Sequence, residues 1–164
     1  MSKTRENLQA AFAGESQANR KYLAFAKKAE EENKKGLAKI FRVAAAGETV
    51  HALNHLNVLA GVGESMENIK QAIAGETYEI TEMYPQFIAT ATEEKESQAL
   101  VSFGGANKVE KIHQELFQKA LDARGEVADQ EYYVCGVCGF PSVDGAPDNC
   151  PICGSAKEKF TLVD

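Results

Sequence analysis

Ala44-Ala45-Ala46-Gly47-Glu48-Thr49-Val50-His51 is the stretch on which the reading of this chain turns. It lies in a run whose stripe residues recur every three or four positions: Leu37, Phe41, Ala44, then Glu48 and His51, then His55 and Val58. That spacing predicts an amphipathic helix, yet mid-stripe, where leucine belongs, stand a carboxylate and an imidazole. Residues three apart share a helix face, so both side chains point the same way. The pair returns as Glu110-Lys111-Ile112-His113, on a stripe of Leu100, Phe103, Ala106, Phe117 and Ala120. Two further helical stripes hold Glu15, among Leu8, Phe12, Asn19, Tyr22 and Ala26, and Glu76 with Glu79, among Ile69, Ile73, Ile80, Met83 and Phe87. Burying one unpaired carboxylate costs several kcal/mol even after relaxation. Five carboxylates and two imidazoles at mid-stripe therefore require cations, and this oxygen-rich set suits a pair of iron or manganese ions.

The four helices form an internal repeat. Ala11-Phe12-Ala13-Gly14-Glu15-Ser16 matches Ala72-Ile73-Ala74-Gly75-Glu76-Thr77 at an offset of 61, and Glu48-x-x-His51 matches Glu110-x-x-His113 at 62. Two helical hairpins, each giving half of a two-metal site, are what such a duplication builds. Glu79 aligns with Ala18, so the halves are unequal and the two metals inequivalent. His55, one turn beyond His51, reads as a packed or supporting histidine, because seven ligands already serve two ions.

The first helix is expected over about 3–32, with Asn33-Lys34-Lys35-Gly36 turning the chain. Gly61-Val62-Gly63 should end the second, and Ser65 should cap the third. Pro85 should kink the third helix, while Gly104-Gly105 should either soften the fourth or admit close packing. A return of the chain to the far end of a bundle must span roughly 35 Å at 1.5 Å per residue. Residues 61–64, at about 3.5 Å each, fall short. Either the third helix runs back beside the second, or two subunits exchange hairpins, and we favour an exchanged homodimer.

The totals agree with a soluble metalloprotein. The chain has 164 residues, 44% of them hydrophobic and 26% charged, enough for a bundle domain and a small appendage. A net charge of −6 argues against nucleic acid or an anionic membrane as the main partner. The first fifteen residues lack the apolar stretch expected of a secretory signal and no run approaches the length of a membrane span, so the expected location is cytoplasmic.

Composition changes after Arg124-Gly125, a basic residue and a glycine that read as a helix stop. We place a helical domain at 1–128 and a small module at 129–164, joined by a linker at about 125–131. The module contains every cysteine, as Cys135-x-x-Cys138-Gly139 and Cys150-Pro151-x-Cys153-Gly154. In a reducing compartment two such pairs indicate a tetrahedral metal site more often than disulfides. Cysteine spacing alone leaves iron and structural zinc open.

Taken together, Gly14-Glu15-Ser16-Gln17-Ala18-Asn19, Glu48-x-x-His51, Gly75-Glu76-Thr77-Tyr78-Glu79, Met83-Tyr84-Pro85, Glu110-x-x-His113 and the two Cys-x-x-Cys pairs resemble the rubrerythrin family over essentially the whole chain. The resemblance implies an all-α, ferritin-like four-helix bundle with a non-haem di-iron centre, joined to a rubredoxin-like domain with one iron. It implies Glu15, Glu48, His51, Glu76, Glu79, Glu110 and His113 as di-iron ligands, with Glu48 and Glu110 bridging. Glu79 and His51 would exchange at one iron with oxidation state. It implies Cys135, Cys138, Cys150 and Cys153 as ligands of the third iron, with Tyr133, Phe140 and Phe160 as the module's aromatic core. Tyr22 and Tyr84 match tyrosines that hydrogen-bond near the cluster, and with Glu79 they are the candidate catalytic residues. The implied activity is reduction of hydrogen peroxide to water, with electrons from a reductase or a rubredoxin and about three irons per chain. The rivals are a ferroxidase that handles iron, and a zinc-ribbon protein without redox turnover.

Overall fold

A computed structural model describes residues 2–163. Five helices come first: α1 (Lys3–Glu31), α2 (Lys35–Val58), α3 (Ser65–Tyr78), α4 (Tyr84–Glu93) and α5 (Ser97–Asp122). A π-turn, Glu79–Met83, joins α3 to α4 without a break in the helical path. Strands β1 (Tyr132–Cys135), β2 (Pro141–Val143) and β3 (Phe160–Val163) follow, with a 3-10 turn at Lys157–Lys159 before the last. The chain divides after Gly63 into two compact units, the first α1 and α2, the second everything from Glu64 onward. No described helix is long and apolar enough to cross a membrane.

In the first unit α1 and α2 form a hairpin that closes on small residues. Ala38, Ala45 and Ala52 are buried at seven-residue intervals along α2, continued by Leu59, and on α1 Ala26 and Ala29 are buried as well. Alanine at the seam lets the backbones approach closely enough for side chains to cross the gap. Asn19 of α1 donates through Nδ2 to the Ala45 carbonyl at 2.8 Å and to Thr49 Oγ1 at 2.9 Å. The second stripe of α2 is open, with Ile40 66%, Val43 67%, Val50 56% and Leu53 52% exposed.

The second unit sets α3 and α4 against α5. Gln114 of α5 donates through Nε2 to Thr77 Oγ1 of α3 at 2.6 Å. The small sheet has the antiparallel order β2-β1-β3, and Gly139 of the module lies over buried Val109 of α5. Phe140 and Phe160 pack edge-to-face, centroids 6.3 Å apart. Tyr133, half-buried in β1, donates its hydroxyl to Glu131 at 3.0 Å.

Several expected boundaries shift. Ser65 is the first helical residue rather than the cap. Glu64 takes the cap position and makes no side-chain capping bond. The second helix stops at Val58, before the expected glycines, because Ala60 adopts the left-handed conformation (φ 52°) and Gly61 N–H bonds back to the Leu56 carbonyl at 3.0 Å. The helix stop at Arg124-Gly125 is present: both residues have positive φ, and Gly125 N–H bonds the Ala120 carbonyl at 2.8 Å. The third predicted helix is not simply kinked at Pro85. It passes through the π-turn, so Pro85 falls in the first turn of α4, where a missing N–H removes no helical bond.

Candidate metal centres

Each unit carries one carboxylate–imidazole cluster, and the two match almost atom for atom. In the first, His51 Nδ1 lies 2.9 Å from Glu48 Oε2 and 4.0 Å from Glu15 Oε1. In the second, His113 Nδ1 lies 2.7 Å from Glu110 Oε2 and 4.0 Å from Glu76 Oε1. Within each trio one ligand atom from every residue falls within 4.8 Å of the others. The i, i+3 spacing aligns histidine and glutamate on one helix, and helix packing delivers the third residue, Glu15 from α1 or Glu76 from α3.

These carboxylates are half-buried. Side-chain exposure is 32% for Glu15, 19% for Glu48, 18% for Glu76 and 15% for Glu110, and among the described residues no charged group is fully buried. The expectation of acids sunk in an apolar core is therefore met only in part, because each carboxylate keeps 15–32% of its side chain exposed. Burial raises the Glu76 carboxyl above its ordinary 4.5, and the nearby Glu110 charge raises it further. Burial, then Glu110, does the same to Glu79. Acids that resist ionisation together form a natural seat for a cation.

Glu79 lies outside the close trio but within its field, since Glu76 feels its charge. Tyr84 belongs to the same environment: burial raises its phenol, followed by the charges of Glu110, Glu79 and Glu76. Its ring packs against Phe87 and Phe103, at centroid distances of 6.4 and 6.3 Å. Tyr22 has the equivalent neighbours in the first unit, Phe25 at 6.3 Å and Phe41 at 6.4 Å. His55 is half-buried in the last turn of α2 and is not part of the trio.

The repeat explains the π-turn, which sequence reading missed. Glu15 and Glu76 are 61 apart, but Tyr22 and Tyr84, Phe25 and Phe87, and Phe41 and Phe103 are all 62 apart. One residue has been gained between Thr77 and Tyr84, and the π-turn Glu79–Met83 absorbs it, closed by a bond from Tyr84 N–H to the Glu79 carbonyl. The change of offset was the available signal. Such single π-turns concentrate at functional sites, and this one begins at the unmatched carboxylate Glu79.

The four cysteines converge from two loops of like construction. Gly139 N–H bonds the Cys135 carbonyl and Gly154 N–H the Cys150 carbonyl, each at 2.8 Å, with both glycines at positive φ. Cys135 and Cys153 sulfurs lie 3.8 Å apart, Cys138 and Cys150 sulfurs 3.5 Å. An ion bound tetrahedrally at about 2.3 Å sets its sulfurs about 3.8 Å apart, so the donors present fit one metal. Burial alone raises Cys135, but hydrogen bonds from Ser155 and the Val137 and Cys138 amides outweigh it and leave the thiol lowered to about 6. Burial pushes Cys138 up to about 12. Four sulfurs this close cannot all ionise without a cation among them.

The comparisons with known proteins agree with this geometry. Residues 6–121 match the family model described as Rubrerythrin, and residues 133–161 the model described as Rubrerythrin, rubredoxin-like domain. The chain is 37% identical to Rubrerythrin-2 of Clostridium acetobutylicum, over 96% of this chain and 95% of that one. It is 34% identical to Nigerythrin of Nitratidesulfovibrio vulgaris, over 96% and 85%. Fully reduced, all-ferrous nigerythrin is similar in structure, with a TM-score of 0.59 and 32% identity over 99% of this chain and 88% of that one. The carboxylate–histidine trios fit a di-iron site and the four cysteines a rubredoxin-like iron site.

Proposed function

Because the chain belongs to the rubrerythrin family, we propose that it is a non-haem di-iron peroxidase that reduces hydrogen peroxide to water in the cytoplasm. The observation that carries this reading is the pair of matched Glu/Glu/His trios on a chain that also holds a four-cysteine site. When bound, the two irons would supply the two electrons that peroxide reduction needs, and the four-cysteine site, holding iron, would return them one at a time from an external reductase or rubredoxin. Glu15, Glu48, His51, Glu76, Glu79, Glu110 and His113 would hold the pair, Glu48 and Glu110 being the shared ligands that the family resemblance implies. Cys135, Cys138, Cys150 and Cys153 hold the single iron.

Glu79 gives the second half a carboxylate that the first lacks, which favours an enzyme with inequivalent metals over a symmetric iron-transit site. Tyr84 has a phenol that stays protonated because burial and three carboxylates oppose its ionisation, so it can donate a hydrogen bond to peroxide oxygen or a proton to departing hydroxide. Tyr22 has the matching aromatic setting in the first unit, beside Phe25 and Phe41, and we assign its hydroxyl to the same hydrogen-bonding task. Two protons and two electrons per peroxide give two waters.

We further propose that domain 1–128 acts as a homodimer in which hairpins are exchanged. The linker between Val58 and Ser65 is short, and the open apolar stripe of α2 needs a cover. Module 129–164 then serves a site built by two subunits.

Anaerobic mixing of fully reduced protein with peroxide or with oxygen, followed by visible absorbance, tests the activity. We expect peroxide to oxidise the protein faster. Faster oxidation by oxygen would overturn the peroxidase in favour of a ferroxidase.

A further inference from the structure

The four-cysteine module sets the hydroxyl of Ser155 against two of its sulfurs. Ser155 Oγ lies 3.1 Å from Cys135 Sγ and 3.2 Å from Cys153 Sγ. The two sulfurs come from different loops, so this hydroxyl bridges both halves of the site. Its position is held from the backbone, since the Ser155 carbonyl accepts the Cys150 N–H at 2.8 Å. Cys135 is 1% exposed, so water does not compete for that contact.

We propose that the Ser155 hydroxyl sets the reduction potential of the cysteine-ligated iron by donating a hydrogen bond to its thiolate ligands. Metal ligation takes the protons from the cysteines. Of the three groups in contact, only the serine then has a hydrogen to give. It serves Cys135 or Cys153 at any moment, and both contacts act in the same direction. Four thiolates carry four negative charges, leaving a net charge of −1 with ferric iron and −2 with ferrous iron. A hydrogen-bond donor at sulfur stabilises the more negative state more strongly, so it raises the potential. Charge-assisted bonds of this kind are the stronger class, and the enclosed position of Cys135 preserves that strength. Ser155 is thus a positioning residue for electron delivery: it touches neither peroxide nor the carboxylate trios. The inference rests on the reading of the four-cysteine site as iron, and not on peroxide as the substrate.

The test is spectroelectrochemical titration of the visible thiolate–iron band in the full-length, iron-loaded protein, for the parent chain, Ser155→Ala and Ser155→Thr. Peroxide is absent, so failure of the peroxidase reading leaves the measurement intact. Ser155→Ala should shift the oxidised-to-reduced ratio about tenfold toward oxidised at a given ambient potential, a fall of about 59 mV for one electron. Ser155→Thr, which keeps the hydroxyl, should stay near the parent. If Ser155→Ala does not load iron, Ser155→Gly removes the same hydroxyl and reads the same shift. A potential unchanged or raised on loss of the hydroxyl, with the iron band intact, would overturn the proposal. So would a parent site that takes up only zinc, recognised by the missing colour.

Discussion

Glu110 and His113 show how much of the site depends on single atoms. His113 Nδ1 is 2.7 Å from Glu110 Oε2, Glu76 bonds to Glu110, and the Glu110 charge is felt by Glu76, Glu79 and Tyr84 alike. Under the proposed ligand set, Glu110→Ala should drop iron from about three to about one per chain, because it removes a shared ligand and leaves His113 without its carboxylate. The visible band of the cysteine-ligated iron should persist. Metal analysis with an absorbance spectrum checks this, and a variant that still binds three irons would remove Glu110 from the set. Asn107, one turn earlier on α5, has a buried Oδ1 with no hydrogen-bond partner, and nothing in the structure explains it.

At the scale of elements the π-turn Glu79–Met83 links two features that look separate in the chain. It absorbs the residue by which the halves differ, and it places Pro85 in the first turn of α4. Deleting Thr81, an exposed residue of that turn, should restore a regular helix and strand the proline ring inside it. A proline in a helix interior costs about 3 kcal/mol. The deletion alone should therefore destabilise the protein by roughly that amount, and adding Pro85→Ala should recover most of the loss. Pro85→Ala in the intact chain should be close to neutral. Urea denaturation of the three variants checks the series, and a deletion that costs nothing would show that the turn does not serve the proline.

At the scale of the molecule, each unit carries its own half-buried carboxylate–histidine trio. The exchanged homodimer predicts a dimer at micromolar concentration in sedimentation equilibrium, and a monomer under those conditions would exclude it. Charge at the trios gives a second expectation. Without metal, burial and then Glu110 raise Glu76 and Glu79 above 4.5. A raised carboxyl binds more protons folded than unfolded between its two values, so its stabilising effect is full below the unfolded value and lost as pH rises through the folded one. Metal-stripped protein should therefore melt higher as pH falls from neutral toward 4.5. Metal-loaded protein should melt lower over that interval, because its ligands must stay deprotonated. Calorimetry of both forms reads the two slopes, and slopes of the same sign would mean that these acids do not govern the site.

The amino-acid sequence by itself determined which donors the protein has and in what order. A Glu-x-x-His pair needs only helical periodicity to point both groups one way, and a Cys-x-x-Cys-Gly loop needs only a glycine free to take positive φ. These are local properties, legible from neighbouring residues. Tertiary structure decided what joins distant residues: Glu15 brought to Glu48 and His51 across an alanine seam, Tyr84 drawn into the field of three acids, Ser155 set between sulfurs of two loops. It also decided the ends of helices, where Ala60 took the left-handed turn expected of the glycines and Glu64 displaced Ser65 from the cap. Distances of a few ångströms between residues tens of positions apart depend on how closely backbones pack. Periodicity carries no record of that closeness.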